Sequence, residues 1–204
     1  MAQASSKRLS APERRNSLIT AAKTLFADKG FHGVSIDEIV NAVGVSPAIL
    51  YRHFKSKDEL YDAVLQDFAC QRESYVDTIV NSDADFETIL RGISQVFIDS
   101  IVSQPDLLKI EFYSVLEGHD AHREFFQNRW KTFTDFIEFS LNELQSKGRI
   151  EKIDSKSAAL MYQGMLREVL LLKCLQQSEH LKEYSLETLL DNMISQFINS
   201  LGMK

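Results

Sequence analysis

A chain of 204 residues with 44% hydrophobic and 25% charged side chains can bury a sizeable core, and its three prolines and eight glycines leave room for long helices. No apolar run approaches the length that crosses a bilayer. Lys7-Arg8 leads into Leu9-Ser10-Ala11-Pro12-Glu13 rather than the apolar segment of a signal peptide, so we expect a cytoplasmic protein with no membrane partner. The net charge of −6 speaks against nucleic acid only until it is divided: residues 1–57 hold nine basic and four acidic side chains, +5, which leaves −11 for the rest. A basic head on an acidic body suits a protein that presents one end to phosphate. Cys70 and Cys174, far apart and in no CxxC pattern, read as buried thiols.

In chain order, residues 1–12 lack an apolar pattern and read as a flexible basic arm ending at Pro12. From Glu13, the positions Leu18, Ala21, Ala22, Leu25 and Phe26 recur at helical spacing, and Lys29-Gly30 stops that helix. Ser35-Ile36-Asp37-Glu38 is a capping box that opens a short helix ended by Gly44. Ser46-Pro47 opens a third, the serine hydroxyl taking up an orphan amide and the proline giving up no bond. Ser56-Lys57-Asp58-Glu59 is a second capping box, and the fourth helix runs through Leu60, Val64 and Phe68 towards Ile79. Further stripes follow at Phe86–Ile101, Leu108–Val115, Phe126–Leu144, from Asp154 to Leu175, and from Ser185 to Leu201. The expected fold is all-α with about nine helices: a helix-turn-helix head over residues 13–60 and a helical ligand-binding and dimerisation domain over 61–204.

The two short capped helices joined by Gly44-Val45 make the helix-turn-helix. Its second helix begins with small residues, Ser46, Pro47 and Ala48, which permit close approach to base edges in a major groove. Tyr51, His53, Lys55 and Lys57 lie at or past its end, where donors meet phosphate oxygens, Ser46, Arg52 or the N-terminal arm is left for base readout, and Ser35 offers a hydroxyl and amides at a helix N-terminus. Gly44-Val45-Ser46, Leu50-Tyr51-x-His53-Phe54 and Ser56-Lys57-Asp58-Glu59-Leu60 closely resemble the signature of the TetR family of bacterial regulators. So does the upstream string from Ala21-Ala22 to Ile39, and the likeness is specific over about Arg14–Leu65. The resemblance implies that Ser35, Ser46, Pro47, Ala48, Tyr51, His53 and Lys57 hold DNA-contacting positions. It implies a homodimer on a near-palindromic operator, and a repressor released by a small hydrophobic or amphipathic effector.

For that effector, Phe97, Phe112, Trp130, Phe133, Tyr162 and Met165 make an aromatic-lined cavity plausible. Arg167-Glu168 interrupts an otherwise apolar helix and would need partners if buried, either at an effector's polar end or across a dimer interface. Val169–Leu172 is apolar all round and the last helix is apolar over a broad face, so the last two helices are expected to pair with a second copy. Glu117-x-His119-Asp120-x-His122 reads as a solvated polar loop, not a metal site. No catalytic motif is present, so neither enzyme chemistry nor a cofactor is called for. The competing reading is a helical carrier of hydrophobic molecules with a vestigial head, with a helical enzyme a distant third.

Overall fold

The computed structural model describes residues 10–69, 85–118 and 120–203. Among the described residues there are nine α-helices and no strand, which is the all-α fold expected. In chain order they are α1 (Ala11–Lys29), α2 (Ile36–Val43), α3 (Pro47–Tyr51), α4 (Lys57–Ala69), α5 (Phe86–Ser103), α6 (Asp106–Glu117), α7 (Asp120–Ser146), α8 (Ser155–Leu170) and α9 (Leu186–Ser200). Residues 1–9, Cys70, Ile79 and His119 lie outside the described residues, and with them most of the expected arm and the far end of the fourth helix. No described helix is long and apolar enough to cross a membrane.

The helix starts follow from short-range side-chain chemistry. Ser10 and Glu13 exchange hydrogen bonds at the head of α1, with Ala11 and Pro12 in its first turn. The helix therefore begins two residues before Glu13: a proline in the first turn lacks an amide that would have gone unpaired anyway. Ser35 and Glu38 form the reciprocal box expected for α2 (3.2 and 2.8 Å). Ser46 caps α3 by backbone alone, because its carbonyl already accepts the Ile49 amide (2.9 Å) that its hydroxyl was expected to satisfy. Before α4, Ser56 Oγ accepts from the Glu59 amide, but Glu59 reaches past Ser56 to the Lys55 amide (2.6 Å). Asp85, Asp154 and Ser185 cap α5, α8 and α9.

A continuous apolar core runs from the head through the body. Leu18, Phe26, Ile39, Leu50 and Tyr61 close the head, and Leu90, Leu108, Ile137, Leu166 and Ile194 fill the body. α2 and α4 pack on α1, α8 lies along α7, and α9 covers α5 and α8. A string of rings threads the body: Phe97 against Trp130 (4.9 Å) and Phe133 (4.7 Å), Phe133 against Tyr162 (6.1 Å), and Tyr162 against Phe197 (4.8 Å). The Tyr162 hydroxyl, buried among them, shares a hydrogen bond with Ser94 Oγ (2.8 Å). The helix expected to run to Leu175 is α-helical to Leu170 and then widens into a π turn, Leu171–Leu175, with the Gln176 amide donating to Leu171 O (2.9 Å). Lys173 Nζ leaves that turn to donate to the carbonyls of Leu181 and Tyr184 (both 2.8 Å). Cys174 sits in the same turn, half-buried rather than enclosed.

Candidate nucleic-acid interface and ligand cavity

Gly44 makes the turn between α2 and α3. Its backbone is left-handed (φ +73°, ψ +38°), and its amide closes α2 on Val40 and Asn41. Leu50 is fully buried against the head, so the opposite face of α3 is turned outward: Ser46, Pro47, Ala48, Tyr51 (54% exposed) and Arg52 are exposed, as is Lys55 just beyond. The small residues stand at the start of that face and the donors at its end. His53 is half-buried, its ring 6.4 Å from Phe54.

Two of the expected contact residues are already engaged. Ser35 is exposed, but both its amide and its hydroxyl donate to Glu38. Glu38 is also paired with Lys29 (2.5 Å), and the Lys29 ammonium, followed by the Ser35 amide and hydroxyl, draws its carboxyl down to about 2. Lys57 Nζ donates to the carbonyls of Phe31 (2.8 Å) and Val34 (2.9 Å) and lies 4.3 Å above the Phe31 ring. It ties the α1–α2 loop to α4 and keeps one ammonium proton for another acceptor.

The same loop is held from the body. α6 presents Lys109, Tyr113 and Glu117 at four-residue intervals, one face of a helix. Lys109 pairs with Asp28 (3.1 Å), the Tyr113 hydroxyl donates to Asp28 O (3.1 Å), and the Glu117 carboxylate accepts the amides of Phe31 and His32 (both 3.0 Å). Gly30 stands where these meet: its backbone (φ +73°, ψ +177°) is open only to glycine, and a Cβ there would lie 2.3 Å from Glu117 Oε1. His122 is buried, stacked on Tyr61 at 3.8 Å and edge-on to Phe31. Burial, with Glu117 nearby, pushes the Tyr61 hydroxyl well above the usual phenol range. The expected solvated loop is thus corrected at both ends. Glu117 and His122 pack against the head, and among the described residues no cluster of ligands for a metal occurs.

The other side of α6 borders a cavity of about 510 Å³ between α6, α7 and α8. Val115, Phe126 and Leu160 supply apolar wall, and Arg123, Lys131 and Lys156 with Asp135 and Glu138 its polar lining. Glu111 and Trp130 are buried at it, and Glu111 Oε1 accepts from Trp130 Nε1 (3.0 Å) and from Arg167 (2.8 Å). Burial raises the Glu111 carboxyl above the ordinary glutamate range, against the pull of Arg167, Trp130 and Arg129.

The family model for bacterial regulatory proteins of the tetR family matches residues 18–64, the segment that folds as this head. Over that segment the chain is similar to the TetR family. It is 42% identical over 94 residues to the transcriptional activator FasR of Mycolicibacterium smegmatis, covering 46% of this chain and 43% of FasR. It is 28% identical over 137 residues to the transcriptional repressor KstR2 of the same species, covering 66% of this chain and 58% of KstR2. These alignments span about half the length of either relative, and both relatives are named as transcriptional regulators, not enzymes. Among solved structures, AibR in complex with isovaleryl coenzyme A and operator DNA superposes with a TM-score of 0.68 at 23% identity, over 90% of this chain and 97% of that one.

Behind this TetR-like head the residues expected at an effector separate into three groups. Trp130 and Arg167 line the cavity, and Phe112 is half-buried beneath the Arg167 guanidinium (5.4 Å). Phe97, Phe133 and Tyr162 are packed ring on ring in the core and do not line this cavity. Met165 lines a separate furrow of about 450 Å³ between α8 and α9, with Met161, Phe197 and Leu201. Glu111 was missed, because an acidic residue in an apolar helix offers no local sign of a partner 56 positions away in Arg167.

Proposed function

We propose that this chain is a ligand-responsive, dimeric DNA-binding transcriptional regulator: a repressor that occupies a near-palindromic operator and leaves it when a small amphipathic effector enters the body. The outward face of α3 carries the reading, with small residues at its start and Tyr51, Arg52 and Lys55 at its end. A helix of that character fits a major groove, and two heads one helical turn apart, about 34 Å, would read neighbouring grooves.

The homodimer is supported by the α8–α9 side of the body. Met161 is 69% exposed there beside the furrow that holds Met165, Phe197 and Leu201, and a second copy would cover them. Val169, Leu171 and Leu172 remain half-buried while Leu170 is enclosed, and Glu168 is exposed. The effector site is the cavity floored by Glu111, Trp130 and Arg167. AibR, of the same fold, is named with an acyl-coenzyme A ligand, which agrees with an amphipathic effector. α6 touches that floor through Glu111 and the head through Glu117, so an effector that shifts α6 would alter the head it holds.

Selection of random duplex DNA on the purified chain tests the reading. It should enrich an inverted repeat whose affinity falls steeply with salt. Tyr51→Ala should then weaken the enriched site about tenfold without changing the salt slope, and Lys55→Ala should lower that slope by about one. Failure to enrich any sequence across salt and protein concentrations would favour the carrier.

A further inference from the structure

The cavity floor is built as an anion site, and a carboxylate of the protein's own fills it. Glu111 Oε1 receives donors from two other helices at once, the Trp130 indole from α7 and the Arg167 guanidinium from α8. Arg129, also on α7, lies close enough to act on the same carboxylate, while its own guanidinium donates to Ser100 (2.6 Å). Two cations and an indole N–H therefore surround one acid. Arg167 Nε is buried with no hydrogen-bond partner among the described residues, a donor left over after Glu111 is served. Glu111 is an unfavourable occupant of this site, because its burial opposes the charge that its partners favour. A carboxylate brought by a ligand would meet the same donors, with Val115, Phe126 and Leu160 waiting for an apolar tail.

We propose that the cavity takes an amphiphile with a free carboxylate head, which displaces Glu111 from Trp130 Nε1 and Arg167 and lays its hydrocarbon tail along Val115, Phe126 and Leu160. This rests on the reading of the cavity as the effector site. A neutral head of equal length can accept from the indole and the guanidinium but lacks the charge that strengthens the second bond, and a cationic head is repelled by it. An acyl thioester would leave its own anionic groups outside the floor, at Arg123, Lys131 and Lys156.

The test uses the full chain and its single tryptophan, Trp130, as a fluorescent reporter on the floor itself. Decanoate, decanol, decyltrimethylammonium and decanoyl-coenzyme A are titrated below their micellar concentrations. Decanoate is expected to bind at least tenfold tighter than decanol, with the ammonium weakest. Arg167→Met should erase the advantage of decanoate over decanol. Should that variant fail to fold, Glu111→Gln, which keeps the shape and both accepted hydrogen bonds, should increase the same advantage several-fold, since a neutral competitor is easier to displace. Equal or tighter binding of decanol overturns the proposal, as does tightest binding of the ammonium, which would make Glu111 the anchor. A decanoyl-coenzyme A affinity more than tenfold above that of decanoate also overturns it, as does the absence of binding by any probe. No arm involves DNA, so a chain with no operator would still answer.

Discussion

The head and the body both cap their helices with polar side chains, but differ in where most of the others find partners. In the head they serve backbone groups close by: Glu13 bonds Ser10, Glu38 bonds Ser35, Glu59 bonds Lys55, and Lys57 holds two carbonyls of the α1–α2 loop. The loop is thereby fixed and the outer face of α3 is left with nothing to hold. In the body they serve one another across helices, as in Glu111 with Trp130 and Arg167, Ser94 with Tyr162, and Ser155 with Asn142 and Gln145. Local bonds of the first kind stabilise modestly and independently. Buried bonds of the second kind are costly to break singly, because each leaves its partner without water or counter-charge.

The contrast breaks first at Arg167. Arg167→Met should cost about 3 kcal/mol in urea unfolding, because it strands the buried Glu111, while Glu111→Leu/Arg167→Met should return to within about 1 kcal/mol of the parent. A single variant costing no more than a lost cap would end the distinction. Gly30→Ala comes next, at about 2 kcal/mol. The strain lies in the backbone, so adding Glu117→Ala should recover only a small part of it by thermal melting. Ser35→Ala, which removes one cap, should cost about 1 kcal/mol.

The smallest effects are in pH, and they have opposite signs in the two regions. Glu38 is drawn below its unfolded value of 4.5 to about 2, so its stabilisation is present above pH 4.5 and is lost as the pH falls towards 2. Glu38→Gln should flatten the acid limb of the stability curve in that window. Glu111 is raised above 4.5 instead, so the folded state gains stability as the pH falls towards 4.5, above the Glu38 window, and Glu111→Gln should remove that gain. Denaturant midpoints measured from pH 2 to pH 7 check both.

The same contrast explains what could be read from residue order. Ser35-x-x-Glu38 and Gly44 give the helix-turn-helix directly, since donor and acceptor are three residues apart, and the outward set from Ser46 to Arg52 follows from Leu50 facing in. Ser10-x-x-Glu13 carried an equally local sign, but Pro12 pointed the other way. Nothing local marks Glu117 as the residue that holds the Phe31 and His32 amides, 86 and 85 positions back. Nor does helical spacing separate Trp130, at the cavity, from Phe133, in the core: both lie on the inner side of α7, and only the packing of α6 and α8 decides which one meets open space.

The π turn at Leu171–Leu175 constrains how many residues the chain has there more tightly than which ones. One residue amounts to about 100° of α-helix. Losing Leu171 or Leu172 would let the turn contract to ordinary geometry and swing Lys173 by that angle, away from the Leu181 and Tyr184 carbonyls that pin the approach to α9. A change of side chain at Leu171, Leu172, Cys174 or Leu175 leaves that anchorage in place, but a one-codon deletion removes it. Among sequences that share this end of the body, alignment gaps should therefore collect in residues 176–185 and leave the turn itself intact.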